Sequence, residues 1–135
     1  MCPECFFSIS HTDGLVAVAV SMKNIGVDIE KRDIACFEKL DIDMMLHESE
    51  KSAFSSLDAS KRAEKACKLW TLKEASYKHG GVGAFEPSTI DTNKKPSAVR
   101  KVRSNGNDYI IGIVGDDFLK VRVNAFDGIE ISDKH

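Results

Sequence analysis

The sequence predicts an α+β domain in which an antiparallel sheet packs against helices. Three observations carry that expectation. Strand-like segments at both ends of the chain enclose a helical middle, with no βαβ alternation. One long stretch, Lys61 to His79, holds an apolar arc at helical period. And 135 residues, 42% of them hydrophobic and 30% charged, suit one domain with a core of its own.

The elements follow in order. Phe6 to Ser10 reads as a short strand ending at His11, with a turn at Thr12-Asp13-Gly14. Leu15 to Val20 is a continuous apolar run that fits a buried strand. Lys23-Asn24 turns it into a third strand, Ile25 to Glu30, so that the second and third form a hairpin. Ser49 is placed to cap a helix carrying Ala53, Phe54 and Leu57. Asp58-Ala59-Ser60 interrupts it before the long helix, which Gly80-Gly81-Val82-Gly83 ends. Pro87 to Asn107 is polar and reads as a loop or weak strand. Asp108 to Val114 and Phe118 to Phe126 are strand-like and joined by a turn at Gly115-Asp116-Asp117, and Ser132 to His135 is a polar tail.

Composition removes several function classes. Nineteen basic against 21 acidic residues give a net charge of −2, unlike a general nucleic-acid binder. No apolar run approaches the ~20 residues of a membrane span. The first residues, MCPECFFSISH, do not form a signal peptide, so a soluble cytoplasmic protein is expected. Cys2, Cys5, Cys36 and Cys67 are expected as free thiols, since the Cys2/Cys5 pair lacks a matching second pair for zinc. His47, His79 and His135 are expected in solvent, as is the basic stretch from Lys94 to Arg103. The glycine run lacks the Lys-Ser/Thr of a phosphate loop.

The chemistry concentrates in two places. In the third strand Asp28 and Glu30 share the face opposite Ile25, Val27 and Ile29, ~7 Å apart along the strand. In the long helix Lys73 falls inside the apolar arc and Glu74 between Trp70 and Cys67, where charges need partners. Two readings are open. The carboxylates line a solvated sheet face, Lys73 snorkels and Glu74 pairs with Lys78. Or Asp28, Glu30 and Glu74 meet in a hard, all-oxygen site of the kind Mg²⁺ takes with substrate phosphates, held by Lys73, Lys78 and His11.

Three stretches in this order resemble the 4′-phosphopantetheinyl transferase superfamily, its surfactin-type branch in particular. They are Ser8-Ile9-Ser10-His11, Gly26-Val27-Asp28-Ile29-Glu30-Lys31, and the Trp70-Thr71-Leu72-Lys73-Glu74-Ala75-Ser76-Tyr77-Lys78 helix, followed by the glycine-rich turn and Phe85-Glu86-Pro87. The resemblance spans roughly residues 6 to 126. It implies that superfamily's fold and a holo-acyl-carrier-protein synthase type of activity. Phosphopantetheine would pass from coenzyme A to a serine of an acyl or peptidyl carrier protein in fatty acid, polyketide or nonribosomal peptide biosynthesis. The implied roles are Asp28, Glu30 and Glu74 as Mg²⁺ ligands, and Glu74 and Lys78 as catalytic residues, Glu74 helping to deprotonate the serine. His11 and Lys78 would touch coenzyme A phosphates, with Ser10 and Lys73 nearby. Surfactin-type enzymes have two similar halves, and residues 1–135 match the second as a single unit. The preceding half, with its basic residues, and a Gly-Lys-Pro stretch are absent. Self-association as a dimer or trimer is therefore expected to complete the coenzyme A site. A non-catalytic carrier-binding or assembly subunit that keeps the fold is the alternative, with a generic Mg²⁺-dependent pyrophosphate hydrolase further off.

Overall fold

Strand alternation and a glycine turn build the first unit of the computed structural model, which describes residues 4–117, 120–126 and 128–132. β1 (Phe6–Thr12) and β2 (Leu15–Ser21) pair antiparallel from Phe6↔Ser21 to Thr12↔Leu15. Gly14 turns between them at φ 87°, where a side chain would be strained. Ser10 and Ala17 on the inner face of this ribbon are buried. Phe7, Ile9, Val16, Val18 and Val20 on the outer face are exposed, so β2 is buried on one side only. The expectation of a fully buried strand is corrected: an apolar run does not say how many of its faces the rest of the fold covers.

The expected hairpin of β2 with the third strand is also corrected. β3 (Ile25–Lys31) pairs antiparallel with β5 (Asn107–Gly115), in a sheet ordered β3-β5-β4-β6 with β4 (Ser97–Ser104) and β6 (Glu130–Ile131). The ribbon reaches β3 through hydroxyls instead of a backbone ladder. Ser8 Oγ accepts the Val27 N–H at 3.0 Å and Ser10 Oγ accepts the Ile29 N–H at 3.2 Å.

β4 lies in the polar stretch read as loop or weak strand. It joins β5 at Asn105-Gly106, whose φ angles of 50° and 78° are those of a tight hairpin turn. The turn expected at Gly115-Asp116-Asp117 does not lead into a strand among the described residues 120–126, and Phe118 and Leu119 lie outside the described residues.

Four helices lie between β3 and β4: α1 (Ile34–Glu38), α2 (Ile42–Met45), α3 (Lys51–Ser55) and α4 (Ala59–Gly80). His47, expected in solvent, caps the 3-10 turn Glu48–Glu50 that precedes α3, a place the sequence assigned to Ser49. Its Nδ1 accepts the Ser49 N–H at 3.1 Å while Glu50 Oε2 accepts the His47 N–H at 3.0 Å, a reciprocal box.

α4 lies against β3 and β5, and two glycines set how closely. A Cβ on Gly26 would run into the Ala75 carbonyl oxygen and lie 2.7 Å from the His79 nitrogen; one on Gly112 would lie 3.1 Å from the Thr71 backbone. Backbone cannot step aside as a side chain can. Gly26→Ala is therefore expected to destabilise the fold by about 3 kcal/mol, the upper range of overpacking. A chemical denaturation midpoint within error of the unmodified protein would contradict the close approach.

One core lies between α4 and the short helices, with Phe37, Met45, Leu46, Phe54, Ala66, Cys67 and Leu69. A second lies on the other side of the sheet, where Val27, Ile29, Val102, Tyr109 and Ile113 meet Ala17 of the ribbon. Cys67 is fully buried, and burial pushes its thiol up to about 12, so it is an inert core residue. Cys5 and Cys36 are free and exposed. Cys2 and His135 lie outside the described residues. Among the described residues no helix is long and apolar enough to cross a membrane.

Candidate active site

The alternation of β3 sends Gly26, Asp28 and Glu30 to one face, and α4 sits on that face. Asp28 and Glu30 therefore point under a helix and do not line an open sheet surface. Asp28 is 4% exposed. Its register partner on β5 is Gly112, which leaves room above the sheet for α4 and for the carboxylate.

Around Asp28 the groups are specific. Ser10 Oγ donates to Asp28 Oδ1 at 2.8 Å, and Lys78 Nζ reaches the same oxygen at 3.1 Å. The other oxygen, Oδ2, is buried and has no hydrogen-bond partner. Burial, followed by the charge of Asp28, raises the Glu30 carboxyl to about 7, with Glu74 adding to the rise and Trp70 opposing it. Burial raises the Glu74 carboxyl too, again with Asp28 adding and Lys78 opposing. Three carboxylates thus crowd one end of the β3–α4 contact with a single ammonium beside them. As placed, no three His, Cys, Asp or Glu side chains among the described residues stand close enough together to hold a metal ion.

The donor set still suits a hard divalent cation. It is all oxygen, it carries excess negative charge, and it offers a buried carboxylate oxygen that nothing else satisfies.

Of the residues singled out in the sequence, Asp28, Glu30, Glu74, Lys78 and Ser10 gather here. His11 does not touch them in the structure: it is exposed, paired with Val16 and one residue out of phase with Ser10, on the outer face of the ribbon. Lys73 is corrected. It is fully buried on the far side of α4, where its ammonium has three acceptors: Glu50 Oε2 at 2.9 Å, the Pro87 carbonyl at 2.9 Å and the Ile90 carbonyl at 2.6 Å. Those three satisfy every proton it carries. Burial pushes the Glu50 carboxyl up, but hydrogen bonds from Lys73, Thr92 and the His47 N–H outweigh that and hold it below its ordinary value. Lys73 neither snorkels nor reaches an anion in the site; it fastens residues 86–92 to α4.

The sequence reading did not single out Glu50 and Thr92, since their partner is chosen by tertiary contact and no local spacing signals it. Nor did it single out Asp116. His79, expected in solvent, has only 9% of its side chain exposed: Lys95 Nζ donates to Nδ1 at 3.1 Å, so Nε2 carries the proton that Asp116 accepts at 2.6 Å. Asn24 Nδ2 donates to the His79 carbonyl at 2.7 Å and secures the end of α4. Phe85 stacks edge-on against Trp70 and Tyr77 at 5.5 Å from each, holding the segment after the glycines to the helix.

The family model of the 4′-phosphopantetheinyl transferase superfamily matches residues 24–118, which span β3, all four helices, β4 and β5. The chain belongs to that superfamily. The α+β architecture, with antiparallel sheets packed against helices, agrees with the superfamily's fold. A curated relative, 4′-phosphopantetheinyl transferase gsp of Aneurinibacillus migulanus, is 31% identical over 104 residues, covering 73% of this chain and 42% of the relative. The chain thus matches about two fifths of that transferase's length. Asp28, Glu30, Glu74 and Lys78 all lie inside the stretch matched by the superfamily model, while Ser10 and His11 lie before it.

Proposed function

We propose that this chain transfers 4′-phosphopantetheine from coenzyme A to a serine of an acyl or peptidyl carrier protein, with Mg²⁺ held by Asp28, Glu30 and Glu74. The observation that carries the reading is the crowding of these carboxylates under α4, with Asp28 Oδ2 buried and unpartnered. When bound, the cation would neutralise pyrophosphate oxygens and the charge that develops on the leaving group.

The chain's own residues do the rest. Ser10 and Lys78 hold Asp28 from one side, so its other oxygen stays turned toward the site. Lys78, a third exposed, is free to share its remaining protons with coenzyme A phosphates. Glu74, its carboxyl raised by burial, takes the proton of the serine hydroxyl, directly or through water. The serine oxygen forms a bond to the β-phosphorus of coenzyme A. The bond from that phosphorus to the bridging oxygen breaks, and adenosine 3′,5′-bisphosphate leaves. A cytoplasmic setting goes with this substrate.

The test is to incubate the protein with coenzyme A, Mg²⁺ and an apo carrier protein and to weigh the carrier by mass spectrometry. A phosphopantetheine adduct on serine is expected; no adduct with any of several carriers would sink the reading. The second reading, a non-catalytic carrier-binding subunit, draws on the chain's match to only 42% of the relative. It predicts carrier binding without an adduct in the same tube.

A pH dependence follows from Glu30. Its carboxyl is raised from 4.5 to about 7, so the folded protein keeps a proton that the unfolded chain releases in that window. Stability of the metal-free protein therefore falls as pH rises from 4.5 to 7. A divalent cation takes the place of that proton. Saturating Mg²⁺ is expected to raise the melting temperature by about 5 °C at pH 8 and by little at pH 5. Equal shifts at the two pH values would contradict a shared proton at the site.

A further inference from the structure

We propose that the cavity at the C-terminal end of α4 binds a nucleoside 3′-phosphate, the adenosine end of coenzyme A. The cavity measures about 280 Å³, just below the ~300 Å³ at which small-molecule sites begin. It has room for one nucleoside-sized group and not for a whole coenzyme A.

Two features build it. α4 runs out into Gly80 and the cap residue Gly81, which carry no side chains to fill the space beyond the last turn. The chain then returns past the helix end, and the buried Lys73 holds that return by the Pro87 and Ile90 carbonyls. The clamp thus fixes one wall of the cavity, a role in which Lys73 needs no contact with the ligand.

The lining carries both signs of charge. Lys94 and Lys95 stand in it with Glu86 and Asp91, while Tyr77 and Ile90 add apolar surface. A simple anion would meet two acids beside the two ammoniums, and a simple cation would meet the reverse. A nucleoside phosphate answers the whole set. Its phosphate takes ammonium protons, its hydroxyl and amino groups donate to carboxylates, and its flat base covers apolar wall. Lys95 Nζ gives one proton to His79 Nδ1 at 3.1 Å and keeps two. Asp91 Oδ1 accepts the Asn93 N–H at 3.0 Å, which leaves the exposed Glu86 as the readier acceptor for a ligand.

Lys78 lies in the same last turn of α4, between Tyr77 and Gly81 of the lining, and its ammonium holds Asp28. Coenzyme A carries a 3′-phosphate besides its pyrophosphate, and one ammonium beside three carboxylates does not balance that charge. Lys94 and Lys95 add positive charge at the same end of the helix. The assignment to coenzyme A rests on the transferase reading; the match of the lining to a nucleoside phosphate does not.

The experiment is calorimetry with Mg²⁺ and without carrier protein, using coenzyme A, dephospho-coenzyme A and adenosine 3′,5′-bisphosphate. Coenzyme A is expected to bind on the order of 10-fold more tightly than the dephospho form, the scale of one charge-assisted hydrogen bond. Lys94→Ala is expected to erase that difference, weakening coenzyme A and the bisphosphate alike and leaving dephospho-coenzyme A unchanged. Lys65→Ala, an exposed lysine elsewhere on α4, is expected to alter none of the three. Equal affinity for the two coenzymes overturns the proposal, as does a Lys94→Ala variant that weakens both or neither. Binding of the bisphosphate without coenzyme A would assign the cavity to a free nucleotide and overturn its place in coenzyme A recognition. If Lys94→Ala does not fold, Lys94→Gln takes its place. The expected binding pattern with no adduct on any carrier would refute the transfer and leave the cavity's role standing. Transfer that uses both coenzymes equally well would do the reverse.

Discussion

Glu74→Gln is expected to lower phosphopantetheine transfer on the order of 10³-fold, the scale of losing a group that acts at the developing charge. Gln has the same shape and no charge, so it neither accepts the serine proton nor binds a cation as a carboxylate does. The fold should not suffer. Burial and Asp28 already disfavour the ionised Glu74 carboxyl, so neutralising it relieves the metal-free protein. The expected result is a melting temperature equal to or slightly above that of the unmodified chain, with adduct formation on the carrier slowed by that factor. Transfer near the unmodified rate would remove Glu74 from the mechanism.

Lys73→Ala should do the opposite, acting on the fold first. It strands the Glu50 carboxylate, 6% exposed, with its cationic partner gone, and it frees the Pro87 and Ile90 carbonyls from their donor. Breaking a buried pair on one side costs about 3–5 kcal/mol. A domain's total stability is only about 5–15 kcal/mol, so the variant is expected to be partly unfolded at room temperature. Lys73→Met combined with Glu50→Gln should recover most of the loss, because no buried charge is then left alone. Urea denaturation of the single and double variants checks this; a single variant within about 1 kcal/mol of the parent would mean the pair is not the clamp described.

Part of this molecule could be read directly from its residues. The alternation of β3 put Asp28 and Glu30 on one face, and the period of α4 flagged Glu74 as misplaced for a core helix. Both are local patterns, and both lead to the site. Lys73 was flagged by the same arithmetic, but the helical wheel shows only that a charge lies on a buried arc. Which partner waits there depends on Glu50 and the 86–92 segment, distant in sequence. β4 reads from the sequence only as a loop or weak strand because Arg100, Lys101 and Arg103 mask it, two of which pair with Glu64 and Asp108. The signal that would have found it was present: Asn105-Gly106 is the dipeptide of a tight hairpin, and it sits between the two strands that pair. The exposure of β2 had no sequence signal, since alternation of valine with alanine looks the same whether one face or both are covered.

Ser10 has two obligations: its oxygen holds an amide of β3 and its proton goes to Asp28. Seating of the ribbon and the electrical state of the acidic cluster are therefore interlocked. A hairpin that lifts off leaves Asp28 without its neutral donor in the same motion that opens the strand edge to water. Whatever grips the far side of that hairpin holds a lever on the chemistry beneath it.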